Sequence, residues 1–263
     1  MDYSTAFRSA AARIARASGD MRARELAENL AHVHERIDRA VLEAGRADRP
    51  ELIVVTKNFP AEDVVRLYEL GIRDVGENRD QEAAPKAAQV AQLLEGADAE
   101  SAGSLRWHFV GQLQSNKARS VVRYARTLHS ADRPSLVKAL QRAAAHREEQ
   151  EAELDCLIQV DLGAVPDPRR GGANPADVPT LAQALADAPG LRPAGVMAVA
   201  PLEESAGTAF ARLADVSARL CAEHPGAQAV SAGMSADLEE AVAAGATHLR
   251  IGRDVLGKRD YAR

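Results

Sequence analysis

Lys57 follows the run LIVVT (52–56), so an amine closes a nearly wholly apolar segment. Strand alternation puts it on the side of Val55 and Ile53, facing either inward or under a helix. Facing inward, the amine is partly desolvated, which increases the share of free base, the form that attacks an aldehyde to make a Schiff base. A strand-end lysine that carries its head back into water satisfies the same pattern. Near the far end, VSAGMSADLEEAVAAGATHLRIGR (230–253) gives a strand, a turn holding Ser231, Gly233, Met234 and Ser235, a helix that Ser235 could cap, and a strand running into Gly252. Hydroxyls, backbone N–H groups and a glycine that allows close approach are what an anion such as a phosphate needs. They are also what any helix N-cap needs. Arg250 shares strand parity with His248 and Gly252, and an inward arginine requires a partner.

The elements that position these groups alternate. Leu26, Leu30, Val33, Ile37 and Val41 recur at steps of three and four, predicting a helix over about 20–44. Eight short apolar or β-branched runs follow, separated by Ala-rich helical sequence: 52–56, 74–78, 107–111, 127–131, 154–162, 194–200, 227–231 and 247–252. The second is the weakest strand, being brief and carrying Glu77 and Asn78. Parallel pairing through right-handed crossovers then predicts an α/β fold, a single (β/α)8 TIM-type barrel with an extra N-terminal helix. A doubly wound open sheet is the alternative, but no GxGxxG follows the first strand. Residues 1–19 read as a polar N-terminal segment and 20–263 as one barrel domain, with 91–106 and 165–175 as loops inside it. In a barrel, function sits at the carboxyl ends of the strands, and phosphate sites favour the loops after strands seven and eight.

Composition bounds the partners. The chain has 263 residues, a formal net charge of −5 and 3% aromatic residues, with a sequence pI near 5.9. A basic surface and a base-stacking platform are both missing, which argues against nucleic acid. Cys156 and Cys221 show no metal or redox spacing and read as thiols in a reducing compartment. No apolar stretch reaches signal-peptide or membrane-span length, so a cytoplasmic protein without membrane contact is expected.

Lys57, GEN (76–78), WHFVGQLQSNKAR (107–119) and SAGMSADLEEAVAAGATHLRIG (231–252) together resemble the pyridoxal phosphate homeostasis protein family, whose fold is the barrel domain of alanine racemase. The similarity spans about 20–261. It implies that pyridoxal 5′-phosphate (PLP) is held as a Schiff base on Lys57 in a protein of intracellular PLP homeostasis without established catalytic turnover. It further implies Asn78 near the cofactor, a phosphate turn over Ser231, Gly233, Met234 and Ser235, and Gly252 with the following backbone as a second cradle. Arg250 is implied to face the pyridine nitrogen, keeping it unprotonated and weakening the ring as an electron sink. Two positions depart from the family pattern. Ala232 replaces the first methionine of SMGMS, and Arg253 stands where a small hydroxyl residue usually touches the phosphate. A monomer is expected, and PLP-dependent apo-enzymes are the class of protein to which such a carrier could pass its cofactor.

Rival functions fit less well. Fold-type III racemases and decarboxylases carry a second, β-rich domain, whereas this chain ends at Arg263, eleven residues after Gly252. Racemization also needs an acid/base opposite the lysine, typically tyrosine, and Tyr3, Tyr68, Tyr124 and Tyr261 fall in helical or terminal positions. A cofactor-free Schiff-base aldolase leaves Arg250 unexplained. His108, His129 and Asp132 lack paired metal-ligand spacing and read as structural groups.

Overall fold

The computed structural model describes residues 13, 17, 19–95, 105–145, 153–163 and 171–258. The predicted N-terminal helix is α1 (Met21–Glu43), begun by Asp20, whose carboxylate accepts from the backbone N–H of Arg22 and Ala23. Such a cap is worth about 1 kcal/mol. Leu26, Leu30, Val33 and Ile37 are buried along one face of α1, as the spacing required.

Eight parallel strands then close into a barrel in sequence order: β1 (Glu51–Val55), β2 (Asp74–Glu77), β3 (Arg106–Phe109), β4 (Ala125–Ala131), β5 (Leu154–Gln159), β6 (Leu191–Met197), β7 (Ala229–Ser231) and β8 (His248–Ile251). Closure is made by β1 on β8, with Ile53 opposite Arg250. The intervening helices are α2 (Ala61–Glu69), α3 (Asp80–Leu94), α4 (Ala118–Tyr124), α5 (Pro134–Ala144), α6 (Val178–Ala186), α7 (Ala206–Glu223), α8 (Leu238–Ala243) and the short α9 (Arg253–Leu256). All eight expected strands are present, including the weak second one. The stretch 91–106 is less loop than expected, because α3 runs through Leu94 and β3 begins at Arg106. Apolar positions Val90 and Leu94 continue the buried face of α3, so packing extends the helix past the point where the sequence turns polar. Most of the loop expected at 165–175 lies outside the described residues; of its described part, Ala173 bridges Val160.

Alternate strand residues have different fates. Leu52, Val54, Val75, Trp107, Phe109, Leu128, Cys156, Ile158, Val196, Val230, Leu249 and Ile251 join the large core between barrel and helices. Their neighbours of opposite parity point into the barrel. Leu157, Ala194 and Met197 form a small apolar cluster there, but Asp74, His108, His129, Ser231 and Arg250 are buried as well. The barrel interior is therefore partly polar.

Candidate functional site

The carboxyl ends of β7, β8, β1 and β2 are neighbours in the barrel, which brings the predicted residues to one half of its mouth. Lys57 is the second residue after β1 and is half-buried. The turn behind it is sharp. Asn58 adopts a left-handed φ of 63°, a conformation asparagine tolerates better than most residues, and its N–H donates to the Glu82 carboxylate of α3. Beneath the turn, Lys86 is 7% exposed and its ammonium donates to Thr56 O at 2.9 Å, Glu77 Oε1 at 2.7 Å and Glu82 Oε1 at 2.9 Å. Thr56 Oγ1 also donates to Glu77 Oε1, at 2.7 Å. Glu77 thus faces away from the mouth, under α3, and belongs to the support of Lys57. Burial pushes its carboxyl above the usual range although Lys86 and Thr56 pull the other way.

On the opposite side, the β7 turn is shaped by Gly233 at φ +89°, where a Cβ would come within 2.6 Å of Ala241 Cβ and 2.8 Å of Leu249 Cδ2. Only glycine fits both the angle and the space. Met234 is exposed and its N–H donates to Asp237 Oδ1 at 2.6 Å. Asp237, not Ser235, stands at the N-cap of α8, because the turn runs two residues longer than the sequence suggested. The backbone N–H groups of Gly233 and Ser235 meet no acceptor among the described residues. Gly252 packs against β1, where a Cβ would lie 3.0 Å from Val55 O. The Arg253 side chain is exposed and makes no hydrogen bond or ion pair among the described residues.

Ser231 corrects an expectation. Its side chain is fully buried and turned into the barrel, with Oγ 3.0 Å from His129 Nδ1 and 2.6 Å from Arg250 Nη1. The hydroxyl expected at the phosphate turn is therefore committed below it. Arg250 lies inward as its parity required, is 5% exposed, and donates from Nη2 to Ala198 O at 2.9 Å. Two of the five N–H donors of a guanidinium are thus occupied, and no carboxylate of the described residues lies within ion-pair distance. Burial brings this guanidinium down to about 10.

Helix α1 ties the two halves of the turn region together. Arg36 pairs with Asp254 of α9 at 2.7 Å and Glu239 of α8 at 2.9 Å and donates to Ser235 O at 3.2 Å. Asn29 and Arg22 donate to Val255 O and Leu256 O. Asn78, at the end of β2, borders both halves of the mouth and lines a cavity of about 1040 Å³ that reaches over the ends of β3, β4 and β5, lined also by Arg79, Gln112, Lys117 and Arg133. SNKAR becomes a 3-10 turn and the start of α4, with Lys117 3.9 Å from Asp80. Tyr68 lies in α2 and Tyr124 closes α4, edge-on to Trp107; Tyr3 and Tyr261 lie outside the described residues. No group of metal-ligating side chains forms among the described residues, and His108 and His129 are hydrogen-bonded to one another. No described helix is long and apolar enough to cross a membrane.

The contributions of Lys86, Arg36 and Asp74 had no counterpart in the sequence reading, and His108 and His129 were read as structural groups without their connection to Arg250. For Arg36 no sequence signal exists. For the two histidines there was one, since both fall on the inward parity of short strands.

Over residues 22–260 the sequence matches the family described as alanine racemase, N-terminal domain. It is 42% identical over 242 residues to the pyridoxal phosphate homeostasis protein of Mycobacterium tuberculosis strain H37Rv, covering 89% of this chain and 93% of that one. This chain belongs to the pyridoxal phosphate homeostasis protein family. The family's protein from Pseudomonas aeruginosa is 38% identical, over 90% of this chain and 96% of that one. The structure of PipY from Synechococcus elongatus with PLP bound is similar with a TM-score of 0.71 and 33% identity, covering 88% of this chain and all of that one.

Proposed function

We propose that this chain binds PLP as a Schiff base on Lys57 and serves intracellular PLP homeostasis without catalytic turnover. The observation that carries the reading is Arg250, a buried cation with uncommitted N–H donors beside a glycine turn at the barrel mouth. A ring nitrogen is an acceptor that such a guanidinium lacks. The turn 233–235, through the backbone N–H groups of Gly233 and Ser235, and the backbone at Gly252 and Arg253 would hold the phosphate between them, with the Arg253 guanidinium adding a charged contact in place of a hydroxyl. Asn78 flanks the ring from β2. Lys57 is the residue whose amine would hold the cofactor through its aldehyde, and the Lys86 cluster keeps that lysine in place.

When bound, PLP supplies an electron sink, and a guanidinium at the ring nitrogen leaves that sink weak by keeping the nitrogen unprotonated. Among the described residues no tyrosine reaches the mouth to act as a second acid/base. The protein works as a cytoplasmic monomer, and PLP-dependent apo-enzymes are the class of partner to which it would pass the cofactor.

Borohydride reduction followed by peptide mapping tests the lysine: the adduct is expected on Lys57, and an adduct on another lysine refutes the assignment. Exchange of the α-proton of alanine in deuterated water tests turnover. Enzyme-dependent exchange on the order of 1 per second, within the ordinary enzyme range, would overturn the carrier reading.

A further inference from the structure

Four hydrogen bonds cross the barrel interior in series. Asp74 Oδ1 lies 2.9 Å from His108 Nε2, His108 Nδ1 lies 2.9 Å from His129 Nε2, His129 Nδ1 lies 3.0 Å from Ser231 Oγ, and Ser231 Oγ lies 2.6 Å from Arg250 Nη1. The line starts at the amino end of β2 and finishes beside the mouth. Every member is buried, His129 and Ser231 completely.

Its two ends fix its direction. A carboxylate only accepts and a guanidinium only donates. Between them, each neutral imidazole has one N–H and one lone pair to place, and the hydroxyl has one hydrogen. Four hydrogens then serve four bonds in a single arrangement: Arg250 donates to Ser231, Ser231 to His129, His129 from Nε2 to His108, and His108 from Nε2 to Asp74. An extra proton on either ring would turn the Ser231 hydrogen away from His129, into a buried space where no acceptor of the described residues receives it. Such an orphan is costly.

We propose that Asp74, His108, His129 and Ser231 are positioning residues for Arg250, forming a one-way hydrogen-bond chain anchored at Asp74 that uses up the Ser231 hydroxyl hydrogen and fixes the guanidinium toward the barrel mouth. The proposal deepens the reading of Arg250 as the partner of the cofactor ring and rests on it for its consequence in binding. Bonds in such a series polarise one another, so the charge of Asp74 is felt at Arg250 without a direct ion pair. Asp74 is itself held by Arg106 of β3 at 2.6 Å. The charged and titratable groups facing the two histidines are Asp74 from β2 and His248 and Arg250 from β8; behind them, Arg106 from β3 pairs with Asp74, and Glu51 from β1 faces His248. Burial, with His108, Arg250 and His248 nearby, holds His129 well below the usual histidine value, which keeps it the neutral link the chain requires.

The test reads hydrogens directly. Histidine side-chain ¹⁵N spectra of the full chain without cofactor are expected to show His108 and His129 as neutral Nε2–H tautomers at pH 7. An Nδ1–H tautomer or a charged ring at His129 would overturn the direction of the chain with no variant needed. Asp74→Asn replaces an acceptor-only anchor by an amide that can also donate. Tautomer mixing at His129 and a loss of PLP affinity of about five- to tenfold, the effect of one mispaired hydrogen bond, are expected. Unmoved tautomers, or affinity within a factor of two of the parent, would overturn the positioning role. If the parent protein fails to bind PLP, the cofactor reading falls, while the tautomers still decide whether the chain runs as stated.

Discussion

Replacing Lys86 by methionine removes the cation beneath the Lys57 turn while keeping its volume. The ammonium is the shared donor to Thr56 O, Glu77 Oε1 and Glu82 Oε1, and Glu77 has no exposure to solvent. Removing one partner of a buried ion pair leaves the other charge uncompensated and costs about 3–5 kcal/mol, a large share of the roughly 5–15 kcal/mol that holds a domain folded. The sign of the pH dependence follows from Glu77. Its folded pKa already lies above the ordinary value, and without Lys86 it rises further. A carboxyl with a raised folded pKa favours the folded state below its unfolded pKa, and this advantage disappears as pH rises through the folded pKa. The deficit of Lys86→Met relative to the parent is therefore smaller at pH 5 than at pH 8. Urea melts at both values read it, and adding Glu77→Gln should recover most of the loss, because the uncompensated charge is then gone. A loss under about 1 kcal/mol, equal at both pH values and unrelieved by Glu77→Gln, would refute the account of this cluster.

Three further outcomes are expected. Gly233→Ala should abolish measurable PLP binding by titration, since both the positive φ and the 2.6 Å approach to Ala241 forbid a side chain there; retained affinity would refute the assignment of the turn. Arg36→Ala should cost only about 1 kcal/mol in thermal melts, as partly exposed pairs do, yet weaken PLP binding about two- to fivefold by untying Ser235 and Glu239 from Asp254; unchanged affinity would refute the strap role of α1. Asp74 has its carboxyl drawn down to about 2, because the hydrogen bonds from His108 and Arg106 outweigh the upward push of burial. Its stabilisation is present above its unfolded pKa near 3.9 and is lost as pH falls toward 2, an acid limb of about 2 kcal/mol that Asp74→Asn should remove.

Amphipathic spacing alone specified α1, and eight short apolar runs alternating with helical sequence specified the closed barrel, because a parallel strand must bury its outer face under the crossover helix that follows it. Strand ends likewise marked Lys57 and Gly252, and parity turned Arg250 inward. These are local properties, readable wherever the period of the chain is. The partners of the side chains were not local. Ser231 looked like a phosphate ligand until closure of the barrel brought His129, from a strand about a hundred residues away in sequence, against its hydroxyl. Glu77 read only as a polar residue weakening the second strand until the packing of α3 set Lys86 beneath it. Asp74 had no reading of its own and His108 and His129 read as separate structural groups, and only the register of adjacent strands joined the three into a line ending at Arg250. A sequence fixes which face of a strand a residue occupies, whereas the curvature that closes eight strands decides which residues of that face meet across the interior, and hydrogen bonds act only between groups that meet.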